Sequence, residues 1–160
     1  GDGGQGGIVV ASAAHPVRRI WVKDNFIEDW EFNGISFAEI SGGWITDNIV
    51  ENITVSGGGA PTTVTGILVD DACANVNVVG NNVSDVGVAA SLSVGIYVDG
   101  LGVNLSTNRT AVLAGAPTVN GILLGISATN CIADMNQTSG HGLADAGTGN
   151  TVGANNRDDL

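Results

Sequence analysis

The sequence predicts an all-β chain wound as a parallel β-helix of about six coils, and three observations predict it. A glycine followed by an apolar-x-apolar triplet recurs along the chain. A second signature, apolar-x-apolar-x-x-Asn-x-(Ile/Val/Thr), alternates with the first. The composition is rich in glycine (25), asparagine and β-branched residues, which suits strands and bends and disfavours helix.

The first signature reads Gly7-Ile8-Val9-Val10, Gly34-Ile35-Ser36-Phe37, Gly66-Ile67-Leu68-Val69, Gly95-Ile96-Tyr97-Val98 and Gly121-Ile122-Leu123-Leu124, with a degraded sixth copy at Gly142-Leu143. The second centres on Asn25, Asn48, Asn81, Asn108 and Asn136, with a weak copy ending at Asn155. A fixed alternation with a variable period is the mark of a solenoid, because insertions collect in loops between stacked units. Strand side chains alternate faces. Ile8, Ile35, Ile67, Ile96 and Ile122 are therefore expected in one inward column, and Val10, Phe37, Val69, Val98 and Leu124 in a second. The other strand supplies Ile20, Val76, Val103 and Cys131, then Val22, Ile45, Val78, Leu105 and Ala133. The asparagines fall at a tight bend, where Asn tolerates unusual backbone angles and identical side chains form a hydrogen-bonded ladder.

At 160 residues the chain reads as one domain, residues 1–160. A net charge of −11 argues against nucleic acid and anionic membranes as partners, since both need clustered Lys and Arg. No apolar run reaches transmembrane length, so no membrane insertion is expected. Cys73 and Cys131 read as small buried residues, and no His/Cys metal spacing occurs. Sequons at Asn52, Asn82, Asn104, Asn108 and Asn136 arise from the repeat, which places Ser or Thr near bend asparagines. His15 reads as a structural loop residue. No amphipathic helix marks a cap, so the chain is expected to be a segment of a larger protein, or a protomer of a homo-oligomer whose ends partners cover.

Two sets of outward residues are candidates for function. Asp70 and Asp99 each lie four residues after a coil glycine, which places them on adjacent coils about 4.8 Å apart. Such a pair could serve as catalytic carboxylates or hold a Ca ion, with Asp71 as a third acid and Tyr97 as a sugar platform. The alternative is that these are solvated turn aspartates. Six of the seven aromatics lie within residues 21–44. Of these, Trp21 and Trp44 hold equivalent outward positions, where they would stack sugar, contact another chain, or sit under the loop from Gly57 to Thr65.

The repeat resembles that of the pectin-lyase-like superfamily, over nearly the whole chain. The resemblance implies a right-handed parallel β-helix, in a superfamily that includes polysaccharide lyases, glycoside hydrolases, uronan epimerases and bacteriophage tailspikes. Asp70-Asp71 and Gly140-His141-Gly142 look like fragments of the polygalacturonase-type motifs. They lie about 70 residues, or some 14 Å along the axis, apart, and the family's other segments are missing. The arginines do not fit a lyase: only Arg109 lies in the central coils, on a different edge from Asp70 and Asp99. Three readings follow. The first is a rigid, extracellular or virion-surface module of tailspike or fibre type, contacting a polysaccharide, a cell-surface glycan or neighbouring protomers. The second is a carbohydrate-active enzyme domain using Asp70, Asp99 and Tyr97. The third is a filament subunit.

Overall fold

The computed structural model describes residues 7–11, 15, 17–54, 63–87, 92–112, 118–139 and 141–159. Every regular element among them is a strand, and the strands assemble into three parallel sheets of six. The first sheet holds Ile8–Ala11, Asn33–Ala38, Thr63–Val69, Leu92–Val98, Thr118–Leu124 and Leu143–Asp145. The second holds Ile20–Lys23, Ser41–Thr46, Ala74–Val79, Asn104–Ser106, Ile132–Asp134 and Thr151–Val152. Phe26–Glu28, Ile49–Ile53, Asn82–Val86, Arg109–Val112, Gln137–Ser139 and Arg157–Asp159 form the third. One strand from each sheet makes a coil, and six coils stack as a parallel β-helix.

The inward columns are those expected. Ile8, Ile35, Ile67, Ile96, Ile122 and Leu143 are register partners in turn, as are Val10, Phe37, Val69, Val98 and Leu124. In the second sheet one column passes through Gly43, between Ile20 and Val76. Phe37 explains the gap, because its ring fills the space where a Gly43 side chain would lie.

The sequence reading treated each coil as two strands, whereas the structure has three. The third begins just after the ladder asparagine, and its inward column runs Ile27, Val50, Val83, Thr110, Thr138 and Asp158. This column accounts for the recurrent glycine. A side chain on Gly34, Gly66 or Gly121 would collide with Val50, Val83 or the Thr110–Thr138 pair respectively, and with a carbonyl of the next coil.

The ladder is continuous and directional. Asn25 donates its backbone N–H and its side-chain amide to Oδ1 of Asn48, each at 3.0 Å. Asn48 does the same to Asn81, Asn81 to Asn108, and Asn108 to Asn136. The last rung is Asn156, not the neighbouring Asn155 that the repeat indicated. Asn155 instead binds the Asp134 carboxylate. The residue before each of the first five rungs adopts a left-handed backbone: Asp24, Asp47, Gly80, Thr107 and Met135. Stacking repeats that conformation at these five corners, whatever side chain stands there.

Candidate functional site

Function on a β-helix resides in outward positions, because inward ones are committed to packing. Along the first sheet one outward column runs Val9, Ser36, Leu68, Tyr97, Leu123 and Ala144. Between its first three coils lies an open groove of about 550 Å³, lined by Val9, Ala11, Phe32, Asn33, Ser36, Ala38, Leu68 and Asp70. That volume lies within the range of small-ligand sites. Phe32 forms one wall and has φ 71°, a left-handed conformation that disfavours a bulky residue. Asn33 beside it accepts a hydrogen bond from the Thr65 hydroxyl.

Asp70 and Asp99 fall where the repeat placed them, at the same edge of the first sheet on adjacent coils. Val69 and Val98, which precede them, are register partners. Their environments differ. Asp70 lines the groove, and its Oδ1 accepts the Asp71 N–H at 2.8 Å. Asp99 accepts from the Tyr97 hydroxyl at 2.7 Å through Oδ2 and from the Ser127 N–H at 3.1 Å through Oδ1. Burial pushes the Tyr97 phenol up to about 12, reinforced by the hydrogen bond to Asp99 and by the charges of Asp99, Asp70 and Asp71. Gly125 of the next coil lies beneath this pair, and a side chain there would strike both the carboxylate and the phenol. Tyr97 is thereby pinned on the outer face, between Leu68 and Leu123.

Trp21 and Trp44 also face outward on adjacent coils. Their ring centroids are 4.6 Å apart and their planes 5° from parallel. Each ring therefore turns one face to the other, which leaves no paired platform flat against the side of the helix. Of the loop from Gly57 to Thr65, residues 57–62 lie outside the described residues, as does Gly140 of the Gly-His-Gly segment. No group of three or more His, Cys, Asp or Glu able to hold a metal ion occurs among the described residues. No helix among the described residues is long and apolar enough to cross a membrane.

Sequence reasoning missed Phe32, Asn33, Val9 and Leu68 as groove residues. The alternation does mark Val9 and Leu68 as outward. Nothing in the repeat signals Phe32, which stands before its coil glycine where the other coils show no matching aromatic.

No family model, curated protein or solved structure matches the chain in comparisons of sequence and fold.

Proposed function

We propose that the chain is a rigid, non-catalytic β-helix module of an extracellular or virion-surface protein that binds a neutral glycan along the outer face of its first sheet. The observation that carries this reading is the groove itself: an apolar floor of Val9 and Leu68, a Phe32 wall, and Asn33 and Asp70 as polar contacts. Sugar rings offer apolar C–H faces to such side chains and hydroxyls to such polar groups. The acidic surface and the single Asp at the groove favour a neutral chain over a uronic-acid polymer. The in-register continuation through Tyr97 and Leu123 would extend contact beyond the groove. A non-catalytic role fits the carboxylates. A glycosidase needs two that address the bond being cleaved, whereas both oxygens of Asp99 already accept internal hydrogen bonds.

The test is calorimetric titration with neutral hexasaccharides, beside chromatographic sizing of the same sugars after incubation. Binding without shortening is expected. Phe32→Gly should weaken it by about tenfold, the loss of one contributing interface side chain, while leaving the melting temperature intact, because glycine accepts the left-handed conformation. If the sugars are shortened and Asp70→Asn or Asp99→Asn abolishes that shortening, the protein is an enzyme and this reading fails.

A further inference from the structure

The first two coils carry an apolar patch that the groove does not use. Trp21 and Phe26 are each 60% exposed, and Ile49 42%. Phe26 and Ile49 are register partners on the third sheet, and Trp21 and Trp44 on the second. The two pairs flank the corner made by Asn25 and Asn48. Carboxylates border the patch: Glu28 and Glu51 are register partners beyond Phe26 and Ile49, and Asp29 follows Glu28. At the corner Asp24 and Asp47 share Lys23, at 3.7 and 3.9 Å. Five carboxylates thus border the patch, against the ammonium of Lys23 and the guanidinium groups of Arg18 and Arg19, which precede Trp21 on the same coil.

We propose that this patch docks an arginine-bearing, otherwise apolar segment of another polypeptide. Aromatic rings attract guanidinium groups, which stack flat on them, and flanking carboxylates pair with the same groups through paired N–H donors. Each feature selects the same partner. A second copy of this chain is a poor occupant, because its charge of −11 would set carboxylates against carboxylates. A glycan would gain nothing from the acidic border. An anionic lipid surface is repelled by the same border.

The experiment uses the full chain and a defined probe, a dodecapeptide of three Arg-Leu-Arg-Thr repeats, titrated by calorimetry at low and high salt. Binding in the micromolar range is expected, weaker by about fivefold when lysine replaces arginine and absent when glutamate does. The double substitution Phe26→Ser with Ile49→Ser should weaken binding by about tenfold. Glu28→Gln with Glu51→Gln should flatten the salt dependence. Asp71→Asn, at another corner of the helix, should leave the affinity within about twofold, the range of a distant surface charge. The four side chains changed in the two double variants lie on outward positions, and unchanged melting will show that the variants fold. Two results would overturn the proposal. One is unaltered binding by the Phe26/Ile49 variant, which would mean that charge alone attracts the peptide. The other is a wild-type dimer in light scattering that becomes a monomer in that variant, which would make a second copy the occupant.

Discussion

Replacing Asn108 with alanine should cost about 4 kcal/mol of stability, and the reasoning follows the ladder rung by rung. Asn108 is buried, and its Oδ1 accepts both the N–H and the side-chain amide of Asn81. Its own amide donates to the Val78 carbonyl at 2.8 Å and to Oδ1 of Asn136 at 3.0 Å. After truncation the Asn81 amide keeps the Ile45 and Val79 carbonyls, and Oδ1 of Asn136 keeps the Asn108 N–H. The Asn81 N–H keeps nothing. One orphaned buried donor costs about 1–3 kcal/mol, and each of the other lost bonds roughly 0.5–1 kcal/mol net. Asn25 is the internal control. It is half-buried and its amide donates to Lys23 and Asn48, but its Oδ1 accepts nothing among the described residues. Asn25→Ala loses those two bonds and orphans no buried donor, so it should cost about 1–2 kcal/mol. Urea unfolding of the two variants, at an m-value of about 2 kcal/mol/M, should place their midpoints roughly 1 M apart. Midpoints that agree within about 0.25 M, the scatter of such fits, would refute the idea that the ladder's interior bonds hold the coils together.

Other consequences follow from single positions. Thr110 stands in an inward column otherwise Ile, Val and Val on the preceding coils, and its hydroxyl has no partner among the described residues. Thr110→Val should raise stability by about 1 kcal/mol in thermal or urea unfolding. Gly66→Ala should cost about 3 kcal/mol or more, since the new methyl would meet Val83 and lie 2.7 Å from the Gly95 carbonyl oxygen; soluble, fully stable protein would disprove that account of the repeat glycine. Thr107 holds φ 54° at a corner, so Thr107→Gly should gain about 1 kcal/mol, which the shift in midpoint will measure. Tyr97 is the sole tyrosine, so alkaline absorbance titration reads it alone. Its folded pKa of about 12 lies above the unfolded value near 10, so its contribution persists below pH 10 and is lost as pH rises toward 12. Tyr97→Phe should remove that alkaline loss.

The repeat was legible because it is made of constraints that every coil must satisfy. Isoleucine after the coil glycine and asparagine at the corner recur since each touches its own counterpart one coil away. The third strand was harder to read. Its residues follow the asparagine directly, and its inward column changes from Ile and Val to Thr and then Asp, so no single residue type marks it. The final rung was misplaced by one residue because Asn155 and Asn156 are adjacent, and only the bond to Asn136 separates them. The Asp70–Asp99 adjacency was legible from spacing alone. What spacing could not supply was the engagement of Asp99 by Tyr97 and Ser127, which depends on a turn of the next coil.

The same logic explains why a fold so plainly written says so little about function. A side chain enters the repeat only if its neighbours above and below demand it, and the inward columns meet that condition at each coil. Outward positions are released from it: Val9, Ser36, Leu68, Tyr97 and Leu123 share one column but mix aliphatic, hydroxyl and aromatic side chains. Departures from the repeat are therefore the informative residues. Phe32, left-handed and aromatic where the next two coils carry Val64 and Ser93 with neither feature, is one. The first-coil aromatics Trp21 and Phe26 are others, exposed in columns that the middle coils fill with Asn77, Asn104 and Asn82. Packing on this coil does not require them, since asparagine meets the same register two coils on. A surface that keeps costly exposed aromatics among carboxylates, where such polar residues would serve, is one whose side chains answer to something outside the coil.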